Sequence, residues 1–290
     1  MQKIKLWFGI CRPRTLFASV CPVLMGLIAI QSVVDAWVAL ATLLCALSLQ
    51  ILSNLINDYY DFKRGSDKAG RVGPARALAE GLVDEKQMRN ACLIAVGMSV
   101  ALGLYLVVEG GWVILAIGVL AILFAWLYTA THHSLSYLGI ADIFCFLFYG
   151  PIASAGTAYL QVGCFSWTAL LLGCACGCIA VCVLATNNIR DIEDDRAVGK
   201  RTFAVRFGMN AARVGVALML VAALLFGYLG LRGNGYCWLL GIPFAFSIYL
   251  YVRLLKAKGP QYNRCLFSFG LLNACYTVAA FLIVLLGNLG

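Results

Sequence analysis

Two stretches of this 290-residue chain carry oxygen ligands at helical spacing. The first, Asn54-Leu55-Ile56-Asn57-Asp58-Tyr59-Tyr60-Asp61, sets Asn54, Asp58 and Asp61 at i, i+4 and i+7. At about 100° per residue these three share one face of a helix. The second, Asn187-Asn188-Ile189-Arg190-Asp191-Ile192-Glu193-Asp194-Asp195, does the same with Asn188, Asp191 and Asp195 at i, i+3 and i+7. Glycine and basic residues trail both, as Lys63-Arg64-Gly65 and Gly199-Lys200-Arg201, so the chain reads as a divergent internal repeat with Asp58 and Asp191 133 positions apart. Carboxylates gathered at one point repel each other unless a divalent cation bridges them. An all-oxygen donor set favours Mg²⁺, which completes its octahedron with water and phosphate oxygens. The expected metal ligands are therefore Asn54, Asp58, Asp61, Asn188, Asp191 and Asp195, and the expected substrate group is a diphosphate neutralised further by Lys63, Arg71, Lys200 and Arg201. A lone charge run more often decorates a solvated loop; two matched clusters with the same register and the same trailing bases favour the site.

The elements that must position these residues lie in a membrane. Hydrophobic residues make up 62% of the chain and charged residues 12%, and the mean hydropathy is +0.89, a composition that excludes a soluble globule. The formal charge of +9 would suggest nucleic acid in a soluble protein, but in a polytopic one the distribution of Lys and Arg between loops carries the information, and no nucleic-acid partner is expected. Nine apolar stretches are long enough to cross a bilayer as helices: residues 15–33, 36–57, 90–108, 111–130, 138–160, 166–189, 211–231, 235–254 and 265–288. The expected fold is an all-α bundle of nine transmembrane helices forming one domain over residues 1–290. Alternating the loops between two faces puts 21 of the 22 basic residues on one side and only Arg232 on the other, which orients the N-terminus and both acidic clusters to the cytoplasm. Eleven of the thirteen acids share that side, the exceptions being Asp35 and Glu109.

Other polar residues divide between structure and chemistry. Cys174, Cys178 and Cys182 repeat at i, i+4 and i+8 but sit in an apolar run, where thiols pack as small hydrophobes. His132 and His133 read as interfacial residues or as proton carriers. Asp142, at the start of the fifth stretch, is either an acid favoured by a helix N-terminus or a functional intramembrane carboxylate. Tyr149, seven residues on, shares its face, and with Tyr59 and Tyr60 it supplies aromatic faces that could stabilise a carbocation.

These motifs resemble the UbiA superfamily of intramembrane aromatic prenyltransferases, and within it the menaquinone branch. The resemblance rests on the paired N-x-x-x-D-x-x-D and N-x-x-D-x-x-x-D patterns, on Arg12-Pro13-Arg14-Thr15-Leu16, on Arg71-Val72-Gly73-Pro74-Ala75-Arg76-Ala77, on Tyr137-Leu138-Gly139 with Asp142 and Phe148-Tyr149-Gly150-Pro151, and on the second acidic string running into Gly199-Lys200-Arg201-Thr202. It implies Mg²⁺-dependent transfer from a polyprenyl diphosphate to 1,4-dihydroxy-2-naphthoate with loss of CO₂ in the cell inner membrane. In that reading Asp58, Asp61, Asp191, Asp195 and Asp142 are catalytic, and Arg12, Asn54, Lys63, Arg71, Arg76, Tyr149, Lys200 and Arg201 bind substrate. The chain departs from the branch at Thr129-Ala130-Thr131-His132-His133, near which the family places its acceptor pocket. Another aromatic acceptor, 4-hydroxybenzoate or homogentisate, stays open as an alternative. So does a secondary transporter, though transporter sites lie near the bilayer midplane and these acids lie at helix ends.

Overall fold

The computed structural model describes residues 2–65, 76–130 and 134–289. Among them every regular element is a helix: α1 (Gln2–Ile10), α2 (Phe17–Ile30), α3 (Ala36–Lys63), α4 (Glu85–Thr129), α5 (Leu135–Leu138), α6 (Ala141–Phe148), α7 (Pro151–Val162), α8 (Trp167–Arg190), α9 (Ile192–Ala197), α10 (Phe203–Leu231), α11 (Gly241–Lys256) and α12 (Gln261–Leu289), with short 3-10 turns at Pro13–Thr15 and Cys237–Leu240. Seven helical segments are long and apolar enough to cross a membrane, α6 and α7 together forming one of them, and α2 is a shorter apolar helix. The chain is a multi-pass membrane protein.

The 45 residues of α4 are not one rod. At Gly111 the backbone takes φ 60° and ψ −147°, a conformation open to glycine and closed to residues with a Cβ. Glu85, at the start of α4, pairs with Lys63 at 3.3 Å, and Trp126, near its end, packs edge-on against Tyr60 with ring centroids 5.4 Å apart. Both ends of α4 therefore meet the same end of α3, and the arms 85–110 and 112–129 run antiparallel.

At the opposite end of α3, Asp35 caps the helix, accepting from the backbone N–H of Trp37 and Val38. This explains one of the two acids that lie away from the clusters. Trp37, Trp112, Trp167 and Trp238 are exposed around that end, the arrangement of an aromatic membrane-interface belt.

The core centres on α8, which packs against α2, α6, α7, α10 and α12. Its sequence of small residues permits this. A Cβ built on Gly173 would lie 2.7 Å from Ser154 Cβ and 2.8 Å from the backbone of Gly150 and Pro151, so the α6–α7 joint rests directly on the α8 backbone. Cys174, Cys178 and Cys182 are buried in this contact layer, and all thirteen cysteines are free thiols.

Candidate active site

The ends of α3 and α8 that carry the two acidic clusters open on one elongated chamber of about 890 Å³. Its mouth is polar, lined by Arg12, Asn54, Asp61, Arg76, Asn187, Asn188, Arg190, Asp191, Asp195, Lys200 and Asn263. Its interior is apolar and aromatic, lined by Phe124, Tyr128, Phe144, Phe148 and Tyr149, and it continues to Thr42, Leu106, Ile114 and Leu160. Asp61 and Thr42 lie nineteen positions apart on α3, so the chamber runs about 28 Å along the helix, close to the thickness of a bilayer's hydrocarbon core. Leu104 and Val119, on the two arms of α4, line it and are exposed, so it reaches the lipid-facing surface between those arms.

Within the first cluster the carboxylates take different parts. Asp58 is 3% exposed and holds the guanidinium groups of both Arg12 and Arg76; it does not line the chamber. Arg12 is positioned from a left-handed backbone conformation (φ 53°), an unfavourable one for a residue with a Cβ. Asp61 lines the chamber, reaches Arg76 at 3.7 Å and Lys200 at 3.6 Å, and keeps a buried Oδ1 with no hydrogen-bond partner. Asn54 donates its amide to the Cys11 carbonyl at 3.2 Å and to Thr15 Oγ1 at 3.3 Å.

In the second cluster the helical register of Asn188, Asp191 and Asp195 persists through the break between α8 and α9, because Asp191 N–H donates to the Asn187 carbonyl and Asp195 N–H to the Asp191 carbonyl. All three side chains line the chamber. Asp191 is clamped by its neighbour Arg190 through two 2.7 Å hydrogen bonds. Arg190 also donates to Asn187 Oδ1 at 2.7 Å and to Asn263 Oδ1 at 2.6 Å. Gly199, at φ 78°, turns the chain so that Lys200 folds back, its N–H on the Asp195 carbonyl and its ammonium 3.7 Å from the Asp195 carboxylate. Lys200 thereby joins the two clusters, touching Asp61 from one and Asp195 from the other. Among the described residues no three Asp, Glu, His or Cys side chains converge into a metal site by themselves.

Other residues expected at the site lie elsewhere. Lys63 is turned away, half exposed, to Glu85 and over the Tyr59 ring. Arg201 is exposed and outside the chamber lining, its backbone N–H on the Tyr137 carbonyl. Of the three expected aromatics, Tyr149 lines the chamber, while Tyr59 and Tyr60 do not. Asp142 lines a separate, apolar groove of about 420 Å³ between α6, α8 and α10, with its Oδ1 buried and unpartnered. Arg71, His132 and His133 lie outside the described residues.

The structure also brings in residues that sequence reading passed over. Arg190 stands inside the second motif, and its adjacency to Asp191 was a usable signal. Gln50 is four residues before Asn54 and falls on the same helix face. Asn263 and Tyr128 belong to no motif, and only the packing of α12 and of the second α4 arm delivers them.

Fold and site together define a polytopic membrane protein whose acid- and cation-lined mouth opens into an apolar intramembrane chamber. The chain belongs to the UbiA prenyltransferase family, whose model matches residues 19–285. It is 36% identical over 258 residues to 1,4-dihydroxy-2-naphthoate octaprenyltransferase of Escherichia coli (strain K12), covering 84% of this chain and 83% of that protein. It is 35% identical over 216 residues to the protein of the same name in Mycobacterium tuberculosis, covering 74% of each. A solved UbiA homologue of Archaeoglobus fulgidus, bound to DMAPP and Mg²⁺, has the same fold, with a TM-score of 0.67 at 16% identity over 96% of this chain and 98% of that one.

Proposed function

We propose that this protein transfers a polyprenyl group from a polyprenyl diphosphate to 1,4-dihydroxy-2-naphthoate, with loss of CO₂, giving demethylmenaquinol for menaquinone synthesis. The observation that carries the reading is the single chamber, which joins a mouth rich in carboxylates and cations to a long apolar interior open to lipid. A substrate with a diphosphate at one end and an isoprenoid chain at the other matches both halves. The relatives of like length that transfer an octaprenyl group to this naphthoate support the acceptor.

The residues present fit Mg²⁺. Asp61, Asp191 and Asp195 line the mouth, Asn54 and Asn188 add amide oxygens beside them, and the orphaned Oδ1 of Asp61 is a buried donor atom ready for a cation. When bound, the ion would neutralise charge on the departing diphosphate. Asp58 belongs to the same set by motif, but its part here is to hold Arg12 and Arg76, which with Lys200 face the diphosphate as fixed positive charges. As the allylic C–O bond breaks, the faces of Tyr128, Tyr149, Phe124 and Phe148 shield the cation from water and stabilise it. An electron-rich ring carbon of the naphthoate forms the new C–C bond, the carboxylate leaves as CO₂, and the ring regains aromaticity. With purified protein, Mg²⁺ and a polyprenyl diphosphate, mass spectrometry is expected to show the decarboxylated prenyl product from 1,4-dihydroxy-2-naphthoate and none from 4-hydroxybenzoate. Efficient prenylation of 4-hydroxybenzoate with its carboxylate retained would overturn the acceptor.

The same reading places the chain as one domain in the cell inner membrane. Counting the two arms of α4 separately and adding α2 to the other six long segments gives nine crossings, the number that hydropathy predicts. The N-terminus and chamber mouth then face the cytoplasm, as the 21-to-1 distribution of basic residues requires. In a cysteine-free background, a cysteine at Lys258 should react with an impermeant label only from the cytoplasmic side, and one at Gly235 only from outside. The reverse pattern would invert the orientation.

A further inference from the structure

One acceptor atom at the chamber has its direction fixed by the hydrogen bonds around it. Gln50 lies one turn, about 6 Å, inward of Asn54 on α3; it lines the chamber and is 7% exposed. Its Nε2 donates to Thr15 Oγ1 at 3.3 Å, and Asn54 Nδ2 donates to the same oxygen at 3.3 Å. The Thr15 hydroxyl hydrogen is committed elsewhere, to the Arg12 carbonyl at 2.9 Å. A hydroxyl has one proton to give, so toward both amides Thr15 only accepts, and both must present nitrogen. The amide of Gln50 is thereby held in one sense, and its Oε1 is left buried with no donor in the protein. A buried carbonyl without a donor is costly, and a ligand that supplies the donor recovers that cost.

Only one of the two substrates can do so. A prenyl diphosphate offers acceptor oxygens and hydrocarbon; the aromatic diol offers hydroxyl protons. Resting on the function proposed above, we infer that Gln50 Oε1 accepts a hydrogen bond from a ring hydroxyl of the aromatic acceptor, selecting a hydroxylated ring and setting it one turn past Asn54. The bond also strengthens during reaction. As the ring carbon attacks, the hydroxyl oxygen releases electron density into the ring and its proton becomes more acidic, so the neutral carbonyl binds the transition state more tightly than the ground state without removing the proton.

The test is a cycle between side chain and substrate. Wild type and Gln50→Met are compared on 1,4-dihydroxy-2-naphthoate, 1-hydroxy-2-naphthoate and 4-hydroxy-2-naphthoate, with the KM for prenyl diphosphate measured in parallel. Since a site built to bind a hydroxyl discriminates strongly against its absence, the ratio of kcat/KM for the diol over one mono-ol is expected to fall about tenfold or more in Gln50→Met, while the KM for prenyl diphosphate stays within about twofold. Ratios unchanged for both mono-ols, or an equal loss on every acceptor, would overturn the assignment. If Gln50→Met does not fold, Gln50→Glu carries the test: it keeps an acceptor oxygen, so the discrimination must persist, and its disappearance would overturn the inference. A wild-type chain that prenylates a different hydroxyaromatic and no naphthoate would refute the proposed function instead, and the cycle would then be run with that acceptor and its deoxy analogue.

Discussion

Replacing Asp58 by asparagine is expected to cost both fold and activity. Asp58 is the shared anion for two guanidinium groups and lies almost wholly out of solvent. The substitution preserves shape but removes the carboxylate that both guanidinium groups share, leaving Arg76 the more distant Asp61 at 3.7 Å. Removing one member of a buried ion pair leaves an uncompensated charge, which typically costs about 3–5 kcal/mol. Arg12 carries a further liability, because its left-handed backbone conformation is sustained by the contacts around it. Thermal unfolding in detergent should therefore shift well below wild type, with turnover falling in parallel as two cations of the diphosphate end lose their positions. The double variant Asp58→Asn, Arg76→Gln should regain part of the stability and none of the activity. Wild-type stability in Asp58→Asn would show that the ion triad does not hold this end of the bundle together.

Asp61→Asn should behave differently three residues later in the same motif. Lys200 keeps Asp195 as a partner and Arg76 keeps Asp58, so no cation is stranded. Stability should change by about 1 kcal/mol or less, the range for losing one of several charge-assisted contacts. Activity should fall by about 10² to 10³, the scale expected when several kcal/mol of electrostatic transition-state stabilisation is removed. The Mg²⁺ concentration giving half the maximal rate should rise as well, because the orphaned Oδ1 is the donor atom the variant weakens. Near-normal turnover at saturating Mg²⁺ and prenyl diphosphate in a folded Asp61→Asn protein would sink the proposed diphosphate site. Asp191→Asn is a less clean probe: its carboxylate is clamped by Arg190, whose side chain is 1% exposed, so loss of activity there would mix chemistry with the weakening of a buried cation's contacts.

The contrast between Asp58 and Asp61 marks the limit of the motif. Helical periodicity places Asn54, Asp58 and Asp61 on one face, and they are on one face. Periodicity does not say that the middle member is occupied by Arg12 and Arg76, which arrive from forty-six positions upstream and eighteen downstream. The same holds for Asp142 and Tyr149. They share a helix stripe by spacing, yet α6 ends at Phe148 and α7 starts only at Pro151, and with that joint seated against α8 one of the two lines the groove and the other the chamber. Lys63 and Arg201 follow their acidic clusters in sequence, but a half-exposed lysine finds the nearer Glu85, and an exposed arginine next to the Gly199 turn stays outside while Lys200 enters.

Other features were readable one residue at a time. The apolar stretches are set by transfer of side chains to lipid, a property that adds along the chain, so the presence of several long apolar helices follows from composition in a window. The break between the third and fourth stretches falls at Glu109-Gly110, one residue before Gly111, where the structure reverses because only glycine tolerates that backbone. Asp35, which loop alternation sets on the side away from the acidic clusters, is a helix cap, a role its position just before an apolar helix permits.

By itself, then, the sequence determined the solvent this protein lives in, the all-helical apolar character of the chain, and the two clusters of oxygen-bearing side chains with their basic neighbours, because each of these depends on residues within a turn or two of helix. The tertiary structure decided which carboxylates face the chamber and which hold arginines, which lysine bridges the clusters, and that Gln50 presents a directed, unpartnered oxygen. Those outcomes depend on side chains brought together from α3, α8, α12 and the connections that carry Arg12, Thr15, Arg76 and Lys200, where the low dielectric of a buried site makes each charge and each hydrogen bond answer to its nearest partner in space.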